Sequence, residues 1–181
     1  MGIFSRLFSR KPKESQKPAE QVTEPIKKAP PLKTTTHHVA GTSYRQDAIR
    51  DMGTETWEYS LSKRELVEEL PCGGTVYEYE FYPNKAELVP EPDNPHDPKA
   101  IKVLIDGVHV GYIKAGSCAR IHKLLRENRI KEIEPQIIGG RYKRLYAPDD
   151  GSEKVADYDL ERGTTSFGVR LEITEYLPTN Q

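Results

Sequence analysis

The stretch Ala100-Ile-Lys-Val-Leu-Ile-Asp-Gly-Val-His-Val-Gly-Tyr-Ile113 decides the fold class. Ile101, Val103 and Ile105 recur with the period of two that puts side chains on one face of a strand. Asp106-Gly107 is the two-residue turn whose central residues both take positive φ, the geometry that suits the twist of a hairpin. Val108, Val110 and Tyr112 then return on a partner strand. The core of this chain is expected to be built from strands.

Working outward, Ala115–Asn128 reads as a helix, with Cys118, Ile121, Leu124 and Leu125 on an apolar face and Arg120, Lys123 and Arg126 on a basic one. Upstream, Lys85–Val89 and Thr75–Tyr82 read as strands, the latter rich in aromatic and β-branched residues. Ser62-Lys-Arg-Glu65 is a capping-box pattern, which predicts a short helix over 63–70 ended by Cys72-Gly73-Gly74. Thr36–Gly41 reads as a first strand and Thr42–Asp47 as a turn. Downstream, Ile133–Tyr146 and Ser166–Leu177 read as strands joined by an acidic loop around 147–165. Many strands with two or three short helices predict a mainly β domain over residues 34–178, a small barrel or strongly curved sheet.

Residues 1–33 have a different texture. They carry five prolines and no aromatic residue beyond Phe4 and Phe8, so they are expected to form a disordered basic tail rather than a core. Ile3, Phe4, Leu7 and Phe8 fall on one helical face with Arg6, Arg10, Lys11 and Lys13 nearby, a pattern suited to an anionic membrane surface or a partner. Isolated helices this short are marginal in water, so a frayed start to the tail is the plainer reading.

Charge is segregated along the chain. Residues 1–33 carry +5, residues 34–98 carry −8, residues 99–144 carry +7 and residues 145–181 carry −5. Such a distribution argues against indiscriminate coating of duplex DNA and for a bounded site. Apolar runs fall short of a membrane span, and Arg6 and Arg10 break any secretory signal; the expected compartment is cytoplasmic, with peripheral membrane association as a variant. Cys72 and Cys118 fit no metal spacing and read as reduced thiols. Phosphate-binding loops, H-E-x-x-H zinc motifs and G-x-S-x-G elbows are lacking, and His37 and His38 would point opposite ways in a strand. No catalytic residue, metal or cofactor is expected.

Three stretches stand out together: Val39-Ala-Gly-Thr-Ser-Tyr-Arg-Gln46, Glu91-Pro-Asp-Asn-Pro-His-Asp-Pro-Lys-Ala-Ile-Lys-Val103, and Val110-Gly-Tyr-Ile113 leading into the helix. This succession resembles the HIRAN domain family over roughly residues 36–177, most strongly at 89–125. The resemblance implies a modified OB- or SH3-like β-barrel. In helicase-fused members it also implies capture of the 3′ end of single-stranded DNA. Carried over by position, it makes Tyr44 and His96 base-stacking rings and Asp97 the acceptor for a terminal 3′ hydroxyl. Asn94 becomes a pocket-lining polar group and Tyr112 a ring beside the phosphate path. Lys102, Lys114, Arg120 and Lys123, from the basic segment, are the candidates for phosphate contact.

This sequence departs from the pattern in three places. Ser43 stands where the helicase relatives have Arg, His96 where they have Tyr, and 46–75 is longer than usual, an inserted arm. Plainer readings stand beside each assignment. Asn94-Pro-His-Asp-Pro98 is also good turn chemistry; Tyr44 and Tyr112 can serve as core packing; a basic helix face can be simply solvated. Trp57 is either an anchor for the arm or an exposed partner contact. The expected function is a non-catalytic nucleic-acid-binding module, acting on 3′-hydroxyl ends of single-stranded DNA in repair or replication, with a helicase or nuclease as partner. The alternative is a protein-interaction or membrane-tethered adaptor, using residues 1–13.

Overall fold

The computed structural model describes residues 30–178. The tail start at 1–13 and most of 1–33 lie outside the described residues. In chain order the elements are β1 (Leu32–Ala40), α1 (Gln46–Arg50), β2 (Thr54–Glu55), α2 (Lys63–Glu69), β3 (Gly74–Tyr77), β4 (Tyr79–Glu80), β5 (Ala86–Pro90), β6 (Ile101–Ile105), β7 (Val108–Ile113), α3 (Ala115–Arg126), β8 (Ile130–Tyr146) and β9 (Asp159–Tyr176). Seven strands form one antiparallel sheet in the order β3-β8-β9-β1-β7-β6-β5, while β2 and β4 pair separately. The domain is mainly β with three short helices, as its sequence pattern predicts.

β1 lets that sheet fold over a core. Its residues Leu32–His38 pair with β9, whereas Val39 and Ala40 pair with β7. One strand therefore belongs to both halves of the sheet, and the halves close barrel-like around shared apolar side chains. Ile101, Val103 and Ile105 of β6 meet Val169, Leu171 and Ile173 of β9 in that core, each at most 3% exposed, and Cys118, Ile121 and Leu124 of α3 seal it. Burying side chains of this size contributes roughly 1.5–3 kcal/mol each, so the alternation read from the sequence is also the main source of stability.

The hairpin turn forms as expected, with Asp106 at φ 47° and Gly107 at φ 83°. The Asp106 carboxylate accepts hydrogen bonds from the Asn84 and Lys85 amides (3.1 and 3.0 Å), which fixes the start of β5. α2 carries the anticipated capping box: Ser62 Oγ accepts from the Glu65 amide and Glu65 accepts from the Ser62 amide.

β8 and β9 run beyond the core as a long arm. Their register shifts at Gly139–Gly140, where φ is 103° and 95°. A Cβ on Gly139 would lie 2.4 Å from the Ser166 carbonyl oxygen, so only glycine fits this bend. Beyond it, the arm has a small core of its own from Leu66, Val67, Leu145 and Tyr158. Residues 63–69 thus pack onto the arm as α2.

Several elements differ from the sequence reading. β1 begins at Leu32 rather than Thr36, inside the stretch expected to be tail, because Leu32–Thr35 pair with Ile173–Tyr176 of β9. The strand expected over Thr75–Tyr82 is broken: Tyr77 pairs with Tyr142, the Glu78 amide bonds to Arg141, and the chain then leaves to pair Tyr79 and Glu80 with β2. β8 bends at its glycine bulge there, and β3 does not follow it. β9 begins at Asp159 rather than Ser166, because the polar run Asp159–Thr165 finds its partner in the arm rather than in the main core. The turn after β1 contains α1, held to the core by Ile49, which is fully buried.

Candidate nucleic-acid interface

The loop between β5 and β6 is built by its own side chains. Asn94 Oδ1 accepts from the His96 and Asp97 amides (3.0 and 3.2 Å), and Asp97 Oδ1 accepts from the Lys99 amide (2.8 Å). Both residues therefore do the turn-making that their type favours. Asp97 Oδ2 is left without a hydrogen-bond partner among the described residues, and His96 is exposed. α3 packs against this loop, with His122 Nε2 3.0 Å from the Lys99 carbonyl oxygen. Asp97 lies close enough to Cys118 that its charge adds to burial in pushing that thiol's pKa up.

Glu91 ties the loop to the sheet. Its carboxylate forms an ion pair with Lys102 of β6 and accepts from Asn94 Nδ2 at 2.9 Å. Lys102 first, then Asn94, hold its pKa below the ordinary carboxylate value. Tyr112 of β7 sits opposite Lys102, and its ring meets His109 edge-on at 4.9 Å. Gly111 brings β1 close to these rings: a Cβ there would lie 2.3 Å from the Ala40 carbonyl oxygen. Burial, and then the nearby charge of Arg45, push the His109 pKa below its usual value.

Tyr44 projects from a 3-10 turn, Thr42–Tyr44, that follows β1 and is closed by Tyr44 N to Gly41 O (3.2 Å) and Arg45 N to Thr42 O (2.9 Å). Its ring is 87% exposed, so it contributes little to the core. The turn itself is clamped. The Gln46 side chain donates to Thr42 O and Phe167 O and accepts from the Phe167 amide, at 2.8, 3.0 and 2.7 Å. An aromatic ring in water on a fixed backbone is suited to base stacking.

The four cations expected to reach phosphate are scattered. Lys102 is paired with Glu91; Arg120 binds Glu175 and Thr35 on the β1–β9 side; Lys123 lies 3.8 Å from Glu127. Lys114, exposed at the start of α3, makes no ion pair among the described residues. Arg45 is likewise unpaired there, and its charge is felt by both Lys102 and His109. The structure thus gathers Asn94, Tyr112 and Lys102 into one cluster with Glu91, His109 and Arg45, and places Arg120 outside it. Sequence reasoning did not single out those last three additions to the cluster; the position of Arg45 directly after Tyr44 was the available signal.

Residues 73–145 match the family model of the HIRAN domain. That stretch, about two fifths of the chain, is HIRAN-like. The matched stretch runs from β3 through most of β8, so it includes the Glu91–Lys102 loop and Tyr112, while Tyr44 and Arg45 precede it. HIRAN is a binding domain, and the match supports a nucleic-acid-binding module. No curated protein and no solved structure matches the chain. Among the described residues, no group of three or more His, Cys, Asp or Glu is arranged to hold a metal, and no helix is long and apolar enough to cross a membrane.

Proposed function

We propose that this HIRAN-like domain binds single-stranded DNA and prefers a free 3′-hydroxyl end. The observation that carries the reading is Tyr44, an 87% exposed ring on a clamped turn, followed directly by Arg45, which has no ion-pair partner among the described residues. Stacking on Tyr44 contributes about 1–3 kcal/mol and tolerates any base. Arg45 and Lys114 neutralise backbone phosphates, and Tyr112 and His109 flank their path. Asp97 Oδ2 supplies end selectivity: a carboxylate accepts a hydrogen bond from a sugar hydroxyl but repels a terminal phosphate. The resemblance of the loop to helicase-fused relatives supports the same assignment and a role beside a repair or replication enzyme.

The test is fluorescence anisotropy with one labelled strand ending in 3′ hydroxyl or 3′ phosphate, at low and physiological salt, for the native protein and Asp97→Asn. The amide keeps an acceptor for the Lys99 amide while removing the charge. Native protein is expected to favour the hydroxyl end and Asp97→Asn to bind both ends alike. Equal discrimination by both proteins would remove Asp97 as the end-reader, and failure to bind either strand would remove the reading altogether.

A further inference from the structure

A second feature shares no lining residue with the Tyr44 turn or the Asn94–Asp97 loop. Where β3 parts from β8, a groove of about 520 Å³ opens, lined by Tyr77, Tyr79, Phe81 and Ile137 among others. Its mouth is apolar as well as its floor: Tyr82 is 73% exposed and Ile138 53%. Strand β3 pairs with β8 only from Leu145 to Tyr142, so β8 at Ile137–Gly139 has no hydrogen-bonded strand on the groove side among the described residues. Pockets of this size take drug-sized ligands and hold more than one side chain. Exposed aromatic surface beside an unpaired strand edge favours an extended peptide.

Charge narrows the choice of occupant. Glu58 and Glu80 line the groove, and no Lys or Arg does. A polyanion such as DNA is repelled there, whereas a segment combining apolar and basic residues is attracted. The chain itself contains one. Residues 1–13 carry Ile3, Phe4, Leu7 and Phe8 with Arg6, Arg10, Lys11 and Lys13, and no acidic residue.

We propose that this groove is the docking site of the chain's own first thirteen residues. The span is right. Leu32, the start of β1, pairs with Tyr176 next to the Glu175–Ile130 pair, and the groove borders β8 some eight residues further on. At about 3.4 Å per residue that is roughly 27 Å. Residues 14–31 connect that segment to β1, and a chain of this length has a root-mean-square span of about 23 Å. A linker whose span matches the distance gives the highest effective concentration, in the millimolar range, so even a weak groove is filled. The docked tail covers the aromatic face and brings its basic residues onto the acidic rim.

The single tryptophan lies at the edge of this groove. Trp57 is 60% exposed and sits between Thr56 and Glu58, both of which line the groove. Acrylamide quenching of Trp57 is compared in the full chain, in Phe4→Ser/Phe8→Ser, and in Glu58→Lys/Glu80→Lys. Both variants are expected to be quenched about two-fold more steeply than the native chain, independent of protein concentration, because the tail is released. Identical quenching in all three proteins overturns the proposal. So does native protection that disappears on dilution, since a second copy rather than the same chain then fills the groove.

Discussion

Gln46 and Phe167 pair as two residues of neighbouring strands would. The side-chain amide of Gln46 accepts from the Phe167 N–H at 2.7 Å and donates to its carbonyl oxygen at 3.0 Å, across 121 positions of sequence. This pair, with the bond from Gln46 to Thr42 O, holds the turn that carries Tyr44. Gln46→Ala is expected to lower stability by about 1–3 kcal/mol, the cost of leaving partly buried backbone groups unpaired. It is also expected to weaken single-strand binding although Gln46 itself faces the sheet. Urea denaturation and anisotropy on the same variant check both effects; intact binding after the loss of stability would show that Tyr44 needs no clamp.

Tyr44 separates binding from folding. Because its ring is 87% exposed, Tyr44→Ala is expected to change stability by no more than about 0.5 kcal/mol. The same change is expected to cost about 1–3 kcal/mol of single-strand affinity, with Tyr44→Phe close to native. Thermal unfolding and anisotropy distinguish this pattern from core packing, which would give the reverse.

His109 provides a pH signature. Its pKa is depressed in the folded state by burial and by Arg45. The unfolded chain therefore binds that proton more tightly, and His109's contribution to stability is lost as pH falls from about 6.5 toward the folded value. A DNA phosphate on Arg45 removes part of the repulsion and raises the His109 pKa. By linkage, single-strand binding then strengthens as pH drops through that window. Titration of the His109 ring by NMR, with and without an oligonucleotide, reads the shift; an unmoved curve places the phosphate elsewhere.

Glu175 tests the assignment of Arg120. This carboxylate is 4% exposed and is held by Arg120 and by Arg129, the latter at 3.0 Å. Removing it leaves two partly exposed arginines that keep other partners, at a cost of about 1–3 kcal/mol. Glu175→Ala is expected to fall in that range by denaturant titration. Arg120→Ala is expected to lower stability while the salt dependence of single-strand binding stays unchanged. A slope shallower by about 0.7 would show that Arg120 does meet a phosphate.

What could be read in advance were the features carried by neighbours in sequence. The Asp106-Gly107 turn, the Ser62–Glu65 capping box and the Ile101–Val103–Ile105 alternation each depend on a few adjacent residues, and each forms. The break after Tyr77 depends on a bulge in β8 sixty positions away, and the early start of β9 on the arm opposite it. Pairing of Lys102 with Glu91 and of Arg120 with Glu175 is likewise a property of the folded surface. His109 and Tyr112 are the sharpest case. Residues three apart in a regular strand point to opposite faces. Here the register shift opposite Val103 and Leu104 makes Val110 an extra residue, and the two rings meet.

The double membership of β1 also governs when this domain can come into being during synthesis. Thr34 bonds Thr174 at 2.8 Å, a contact between residues 140 positions apart, and Leu32–His38 have β9 as their partner. Translation must deliver nearly the whole domain before the first strand finds that edge, and at about 5–20 residues per second this takes many seconds. Until then the nascent chain holds an unpaired strand at its head. Closure by so distant a partner makes folding late and slow rather than progressive, and leaves the growing polypeptide dependent on whatever shields that strand while it waits.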